Sequence, residues 1–102
     1  MKVIIRESAE ADLDHIAEWI AKDSPATAAR MVASIRDRIN FLETDELAHM
    51  GRPGFVEGTR ELIEHPYIIV YRVYDDRSEV EVLSIVHGAQ DREPESGAAA
   101  QD

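Results

Sequence analysis

Histidine is the residue type in this sequence best suited to moving protons near neutral pH, because an unperturbed imidazole titrates at about pH 6.5. The four histidines are His15, His49, His65 and His87. They fall on different predicted elements and no cysteine accompanies them, so their spacing indicates no metal site. His87 stands at the end of a predicted strand, where it could act as a general acid or base. A structural role at the strand end is the alternative.

No other pattern in the chain marks a catalytic or cofactor-binding motif. Residues 51–54, Gly-Arg-Pro-Gly, contain two glycines. A phosphate-binding loop, however, lies between a strand and a helix, and that setting is not predicted here. We therefore expect no cofactor and no metal ion.

The charge of the chain argues against a nucleic-acid ligand. Eleven basic residues stand against 21 acidic ones, which gives a net charge of −10. Nucleic-acid binders gain affinity by neutralising phosphates and releasing counterions. An acidic domain works against that gain unless its arginines cluster on one face, so we expect no direct nucleic-acid binding. The simpler interpretation is that acidic residues keep a small protein soluble.

The N-terminal half is predicted to form a strand followed by two helices. Residues 3–5 are a short β-branched run typical of a strand. Ser8 is a candidate N-cap for a first helix that should end near Lys22. Ser24 can cap a second helix, with Pro25 at its first position. Because the connection is so short, the two helices should form an antiparallel hairpin.

The C-terminal half changes to a period of two, which is typical of strands. Residues 44–58 lack periodicity and contain turn-forming glycines, so a loop is predicted. Strands are predicted over 59–64, 67–74 and 79–87, with turn residues at 75–78. Such short connections make these strands antiparallel neighbours.

Together these elements predict an α+β fold. An N-terminal strand and an antiparallel two-helix hairpin should pack on a mostly antiparallel sheet of three to four strands. Residues 1–91 form the predicted domain, and residues 92–102 have too little apolar content to add to its core. We expect that segment to be a mobile tail. The sheet face opposite the helices should stay partly open, and function is expected there.

The sequence offers no sign of a membrane location. No apolar run approaches the roughly 20 residues that a membrane-spanning helix needs. The first residues, Met-Lys-Val-Ile-Ile-Arg, turn polar too soon for a signal peptide. We therefore expect a cytoplasmic protein that does not bind membranes.

An ordered set of short motifs resembles the ParE-like plasmid-stabilisation toxins of the ParE/RelE superfamily. The resemblance covers roughly residues 1–91. The motifs that carry it are Ala-Glu-Ala-Asp-Leu at 9–13, Gly-Arg-Pro-Gly at 51–54, Gly-Thr-Arg-Glu-Leu at 58–62, Tyr-Ile-Ile-Val-Tyr-Arg-Val at 67–73 and Val-Leu-Ser-Ile-Val-His-Gly-Ala-Gln-Asp at 82–91.

This resemblance implies a toxin held in check by a cognate antitoxin. Such antitoxins are ParD-like: an N-terminal domain binds DNA, and a C-terminal helical segment wraps the toxin. Members of the superfamily differ in target, because ParE-like toxins inhibit DNA gyrase whereas RelE-like toxins cut messenger RNA on the ribosome.

The resemblance also suggests roles for single residues. Arg60 matches a position where RelE-like nucleases place a basic residue that steadies the scissile phosphate, and the alternative is a cross-strand ion pair with Glu79 or Glu81. With His87, it forms the candidate catalytic set of a nuclease. The candidate residues for binding a target or antitoxin are Arg52, Arg60, Tyr71, Arg72 and His87. Tyr71 and Arg72 should lie on opposite faces of one strand, so one belongs to the core.

One departure from the RelE-like pattern favours one of the two targets. RelE-like nucleases use several basic side chains, lysines among them, but this chain has no lysine after Lys22. Phosphoryl transfer without a metal needs cations to balance the charge that builds on the phosphate. The sequence therefore favours a gyrase-binding inhibitor over an enzyme. A RelE-like ribonuclease, or a decayed toxin that only binds antitoxin, are the alternatives.

Overall fold

The chain folds into a helical layer on a mixed β-sheet, as a computed structural model that describes residues 1–88 shows. In chain order the elements are β1 (Lys2–Ile5), α1 (Glu7–Ala21), α2 (Pro25–Phe41), α3 (Asp45–Ala48), β2 (Arg52–Pro53), β3 (Arg60–Glu64), β4 (Tyr67–Tyr74) and β5 (Glu79–His87). The predicted tail at 92–102, and residues 89–91 of the predicted domain, lie outside the described residues.

The sheet confirms the predicted α+β class and adds one strand to it. Its order is β1-β5-β4-β3-β2, with β1 parallel to β5 and the other pairs antiparallel. Arg52 and Pro53 pair with β3 as a short edge strand inside the segment predicted to be a loop. The same segment contains the one-turn helix α3. Elements this short depend on contacts with distant residues, which a local sequence pattern does not contain.

The helix hairpin begins its second helix as predicted. The Ser24 side chain accepts a hydrogen bond from the Thr27 amide at 3.2 Å, and Pro25 is the first helical residue. Proline suits that position because its missing N–H would have no partner in the helix. Helix α1 ends at Ala21, next to the predicted end at Lys22.

The N-cap predicted at Ser8 is wrong, because Ser8 lies within α1 and binds the sheet instead. The residue before the helix is Arg6, which makes no side-chain cap. The Ser8 hydroxyl donates to the Leu83 carbonyl at 2.8 Å, and the Asp12 carboxylate accepts from the Ile85 amide at 2.8 Å. Both bonds reach β5 beyond Val82, where its pairing with β1 has ended. These side chains therefore join α1 to β5.

The core lies between the helices and one face of the sheet. Its fully buried members come from all three helices, from the residue after α2 and from β4 and β5, among them Leu13, Ile35, Ile39, Leu42, Ala48, Ile69, Tyr71, Val80 and Val82. None of the described helices is long and apolar enough to cross a membrane. Within residues 1–88, no helix covers the opposite face, which we call the open face.

Candidate partner-binding surface

The open face is built from three rows of paired residues. Residues paired across neighbouring strands share a face, so the strand register assigns each side chain. One row is apolar, a second is mixed and a third is charged: Ile63, Ile68 and Val86; Arg52, Glu61, Val70 and Ser84; Arg72 and Glu81. The face is therefore apolar at the end where β4 begins and charged toward the other end.

A tightly bonded loop at 54–58 presents two exposed apolar side chains at the edge of this face. The Gly54 amide donates to the Thr59 carbonyl, and both the Thr59 amide and its hydroxyl donate to the Val56 carbonyl. A Cβ on Gly54 would lie 2.2 Å from the Thr59 hydroxyl oxygen, so glycine is needed there. Phe55 and Val56 are nevertheless 59% and 63% exposed. The loop therefore holds apolar side chains in water, as an interaction site does.

Beneath this loop lies a groove of about 210 Å³. Its walls combine the loop with the sheet: Phe55, Val56, Thr59, Glu61, Val70, Ser84 and Val86. Val70 and Val86 supply its apolar floor, and the edge at Phe55 and Val56 is open. This shape suits an apolar side chain of a partner.

Glu61 fixes the loop from inside the sheet. The residue is 2% exposed, and its carboxylate accepts hydrogen bonds from the Arg52 Nε at 3.2 Å and the Phe55 amide at 3.3 Å. A buried carboxylate needs such partners to offset its lost hydration. Arg52, predicted to bind a partner, thus uses its charge within the fold, although its side chain stays 56% exposed.

Arg60 points to the helix side of the sheet, since it pairs with the core residue Tyr71. Its guanidinium donates to the His49 carbonyl at 3.0 Å and the Gly51 carbonyl at 2.9 Å. The alternative role considered for Arg60, an ion pair with Glu79 or Glu81, is wrong. Those glutamates lie on the open face, where they bind Arg77 and Arg6.

Tyr71 and Arg72 lie on opposite faces of β4, as predicted. Tyr71 is fully buried, and burial raises the pKa of its phenol. Arg72 is partly buried on the open face, beside Gly58, whose φ of +87° only glycine adopts readily. Glu81, its neighbour on β5, binds Arg6 and the Tyr74 hydroxyl instead. Among residues 1–88, Arg72 therefore has no hydrogen-bond or ion-pair partner.

His87 lies at the apolar end of the sheet. Its ring meets Tyr67 edge-on, with ring centres 5.5 Å apart. It borders a groove of about 470 Å³ against α1, at whose rim Trp19 is 69% exposed. It also borders a groove of about 440 Å³ lined by Ile63, Pro66 and Ile68. His87 is thus placed among apolar surfaces.

The predicted catalytic residues do not meet. Arg60 pairs with Tyr71 and His87 pairs with Tyr67, four residues away along β4. Four strand residues span about 13 Å. Arg52 lies on the open face, whereas Arg60 lies on the helix side. Within residues 1–88, no three His, Asp or Glu side chains are placed to hold a metal ion.

Sequence reasoning missed the loop residues Phe55 and Val56 and the buried carboxylate of Glu61. A signal for the first two exists, because they are large apolar residues between two glycines in a loop that is otherwise mostly polar. Glu61 has no such signal. Its burial follows from the loop that folds over it.

Comparisons with known proteins agree with this fold. Residues 3–92 match the family model described as the ParE toxin of the type II toxin–antitoxin system parDE. A curated relative from Sinorhizobium fredii, named "Putative toxin Y4kP", is 44% identical over 80 residues, which cover 76% of this chain and 78% of the relative.

Two solved structures share the architecture. A chain of the chromosomal ParDE toxin–antitoxin system from P. aeruginosa matches with a TM-score of 0.74 and 29% identity, over 85% of this chain and 95% of that one. A chain of the RelBE2 toxin–antitoxin complex from Mycobacterium tuberculosis matches in fold, with a TM-score of 0.60 and 23% identity over 84% and 95%. This chain belongs to the ParE toxin family of type II toxin–antitoxin systems.

Proposed function

We propose that this toxin acts by binding DNA gyrase and that a cognate antitoxin neutralises it. The observation that carries the proposal is the separation of Arg60 from His87 along β4. A ribonuclease needs its proton-transfer group and its phosphate-binding cation within bonding reach of one substrate. A protein that inhibits by binding needs only a complementary surface with a few anchors.

The hydrogen bonds of the arginines also favour an inhibitor that acts by binding over a ribonuclease. Arg52 is bonded to the buried carboxylate of Glu61, and Arg60 to the carbonyls of His49 and Gly51. Using either guanidinium for a phosphate would break or weaken a bond that shapes the fold. The net charge of −10 further opposes a nucleic-acid substrate.

Exposed apolar side chains support an antitoxin partner. Trp19, Phe55 and Val56 are each more than half exposed, Trp19 at the groove against α1 and the other two at the groove under the 54–58 loop. Large exposed apolar groups mark interaction sites, and a domain this small gains stability from a partner. Both proposed partners act inside the cell, so a cytoplasmic location is part of this proposal.

Two assays on one antitoxin-free preparation test the proposal. In the first, the toxin should block gyrase supercoiling or stabilise the gyrase complex with cleaved DNA. In the second, ribosome-bound messenger RNA should remain uncut. Cleavage at codons that disappears in His87→Ala would contradict the proposal and identify a RelE-like ribonuclease. Folded protein that is silent in both assays would indicate a toxin that has lost its target.

A further inference from the structure

We propose that the groove under the 54–58 loop binds an apolar segment of the antitoxin that carries one carboxylate, and that this carboxylate pairs with Arg72. The inference rests on the proposed neutralisation by an antitoxin and assigns the surface and chemistry of that contact.

The charge on Arg72 is the first argument. A partly buried guanidinium normally has an acceptor, because it carries five N–H donors that have lost part of their water. Among residues 1–88 Arg72 has none, although Glu81 lies opposite it on β5. Glu81 is held by Arg6 at 3.4 Å and by the Tyr74 hydroxyl at 3.0 Å. Arg72, which has no acceptor within residues 1–88, therefore fits an acid supplied by a partner.

The position of Arg72 relative to the groove is the second argument. Arg72 and Val70 point to the same face of β4, two residues apart, so their Cα atoms are about 7 Å apart. Val70 forms the floor of the groove, and Gly58, beside the Arg72 guanidinium, ends the loop that forms its rim. One extended segment can therefore place an apolar side chain in the groove and the side chain two residues along on Arg72.

The rigidity of the rim is the third argument. Phe55 and Val56 are exposed, yet the loop that holds them is fixed by one bond between Gly54 and Thr59, by two bonds from Thr59 to the Val56 carbonyl and by the Glu61 carboxylate. A preorganised surface loses little conformational freedom when a partner binds, so more of the contact energy becomes affinity. The groove therefore has its binding shape before a partner binds.

The acidic charge expected opposite Arg72 is specific to that position, because the rest of this acidic chain attracts basic residues. A chain with net charge −10 attracts basic residues over most of its surface. An antitoxin that placed a lysine or arginine against Arg72 would be repelled there. Pairing with Arg72 therefore fixes the register of the bound antitoxin segment, since only one alignment of that segment brings an acid to Arg72.

The test uses the full-length toxin and the antitoxin that co-purifies with it when the neighbouring gene is co-expressed. Affinity is measured by titration calorimetry for Arg72→Gln, Phe55→Ser and the matched control Arg30→Gln. Arg30 is an exposed residue of α2 and bonds only to Thr27 among the described residues. We expect Arg72→Gln and Phe55→Ser each to weaken binding by at least about tenfold, as loss of a desolvated charge partner or an apolar anchor does. Arg30→Gln should stay within about twofold, as exposed charges do.

Exchanging the two charges between toxin and antitoxin distinguishes loss of the ion pair from loss of toxin stability. Arg72→Glu should abolish binding, and an antitoxin with one acidic residue changed to lysine should restore it. Wild-type affinity in Arg72→Gln would overturn the inference while leaving the proposed function intact. If no product of the neighbouring gene co-purifies with the wild-type toxin or binds it, both the inference and the proposed function are overturned.

Two results would assign the groove to another occupant and so contradict the inference. Loss of gyrase inhibition in Arg72→Gln, with antitoxin affinity unchanged, would give the groove to gyrase. A tenfold gain in antitoxin affinity on deleting residues 93–102 would give it to the chain's own C-terminal segment.

Discussion

The Tyr71 hydroxyl oxygen accepts a hydrogen bond from the Gly51 amide at 2.9 Å inside the protein. The Gly51 carbonyl is held at the same time by the Arg60 guanidinium, also at 2.9 Å. A Cβ on residue 51 would lie 2.5 Å from the Tyr71 hydroxyl oxygen, so glycine is required for this approach. The pair joins the buried strand β4 to the segment between α3 and β2, and thereby positions the edge strand that carries Arg52.

The first prediction concerns this bond. Tyr71→Phe should lower the free energy of unfolding by about 1–3 kcal/mol, because it leaves the buried Gly51 amide without a partner. Urea denaturation followed by circular dichroism measures the change. Tyr74→Phe is the matched control, since its hydroxyl donates to Glu81 at a partly buried site. If both variants lose equal stability, the Gly51 bond has no special role.

Much of the architecture could be predicted from the sequence, because it depends on local patterns. The bounds of β4 and β5 match the predicted strands, and α2 begins at Pro25 as predicted. Proline, serine caps and strand alternation act within a few residues of each other. These features could therefore be predicted from the sequence.

The errors in the prediction share a different cause. Ser8 has the residue type of an N-cap, but the approach of β5 gives its hydroxyl a carbonyl 75 residues away in sequence. Arg60 lies two strands from Glu81, yet strand alternation places them on opposite faces. The 54–58 loop is held in its place by a hydrogen bond from the Phe55 amide to the buried carboxylate of Glu61. Each of these depends on which distant residues meet.

The second prediction concerns pH. Hydrogen bonding to Arg36 lowers the pKa of Glu10 below its usual 4.5, and this pair joins α1 to α2 at 2.9 Å. A carboxylate with a lowered folded pKa adds stability above its unfolded pKa, and the contribution disappears as the pH falls through the folded value. Because both side chains are more than 40% exposed, the contribution should be only about 0.5 kcal/mol.

Chemical denaturation at a series of pH values checks this expectation. Glu10→Gln should be less stable than the wild type at pH 7, and the difference should vanish as the pH falls below about 4.5. Glu18→Gln, on the exposed surface of the same helix, should show no such difference. A difference that persists unchanged at pH 2 would contradict the role of the ion pair.

The third prediction concerns salt. The antitoxin segment that covers an acidic toxin should carry lysines and arginines at its rim, and the stable complex should bury more than about 1,200 Å². Its association rate should fall as ionic strength rises, because salt screens long-range attraction. Stopped-flow measurements from 50 to 500 mM salt, roughly from 14 to 4 Å of Debye length, test this. A rate that does not change with salt would contradict it.

The fourth prediction concerns the C-terminal segment. Residues 93–102 contain alanine as their sole apolar residue type apart from glycine and proline, so they offer little to a core. Deleting them should change the free energy of unfolding, and of antitoxin binding, by less than about 0.5 kcal/mol. Toxicity is measured separately, since a segment that adds no stability can still contact a target. Unfolding of the shortened chain would show that the segment belongs to the domain.

The last prediction separates inhibition by binding from catalysis. His87 packs against Tyr67 at the apolar end of the sheet, about 13 Å along β4 from the position that pairs with Arg60. His87→Ala should therefore leave gyrase inhibition within about threefold of the wild type, because a binding inhibitor needs no general base. Arg60→Ala should act instead through stability, since it releases the carbonyls of His49 and Gly51. At a temperature where Arg60→Ala stays folded, its inhibition should also approach that of the wild type. The supercoiling assay and a thermal melt, run on the same samples, separate the two effects. A variant that is fully folded and yet inactive would place that side chain in the contact with gyrase.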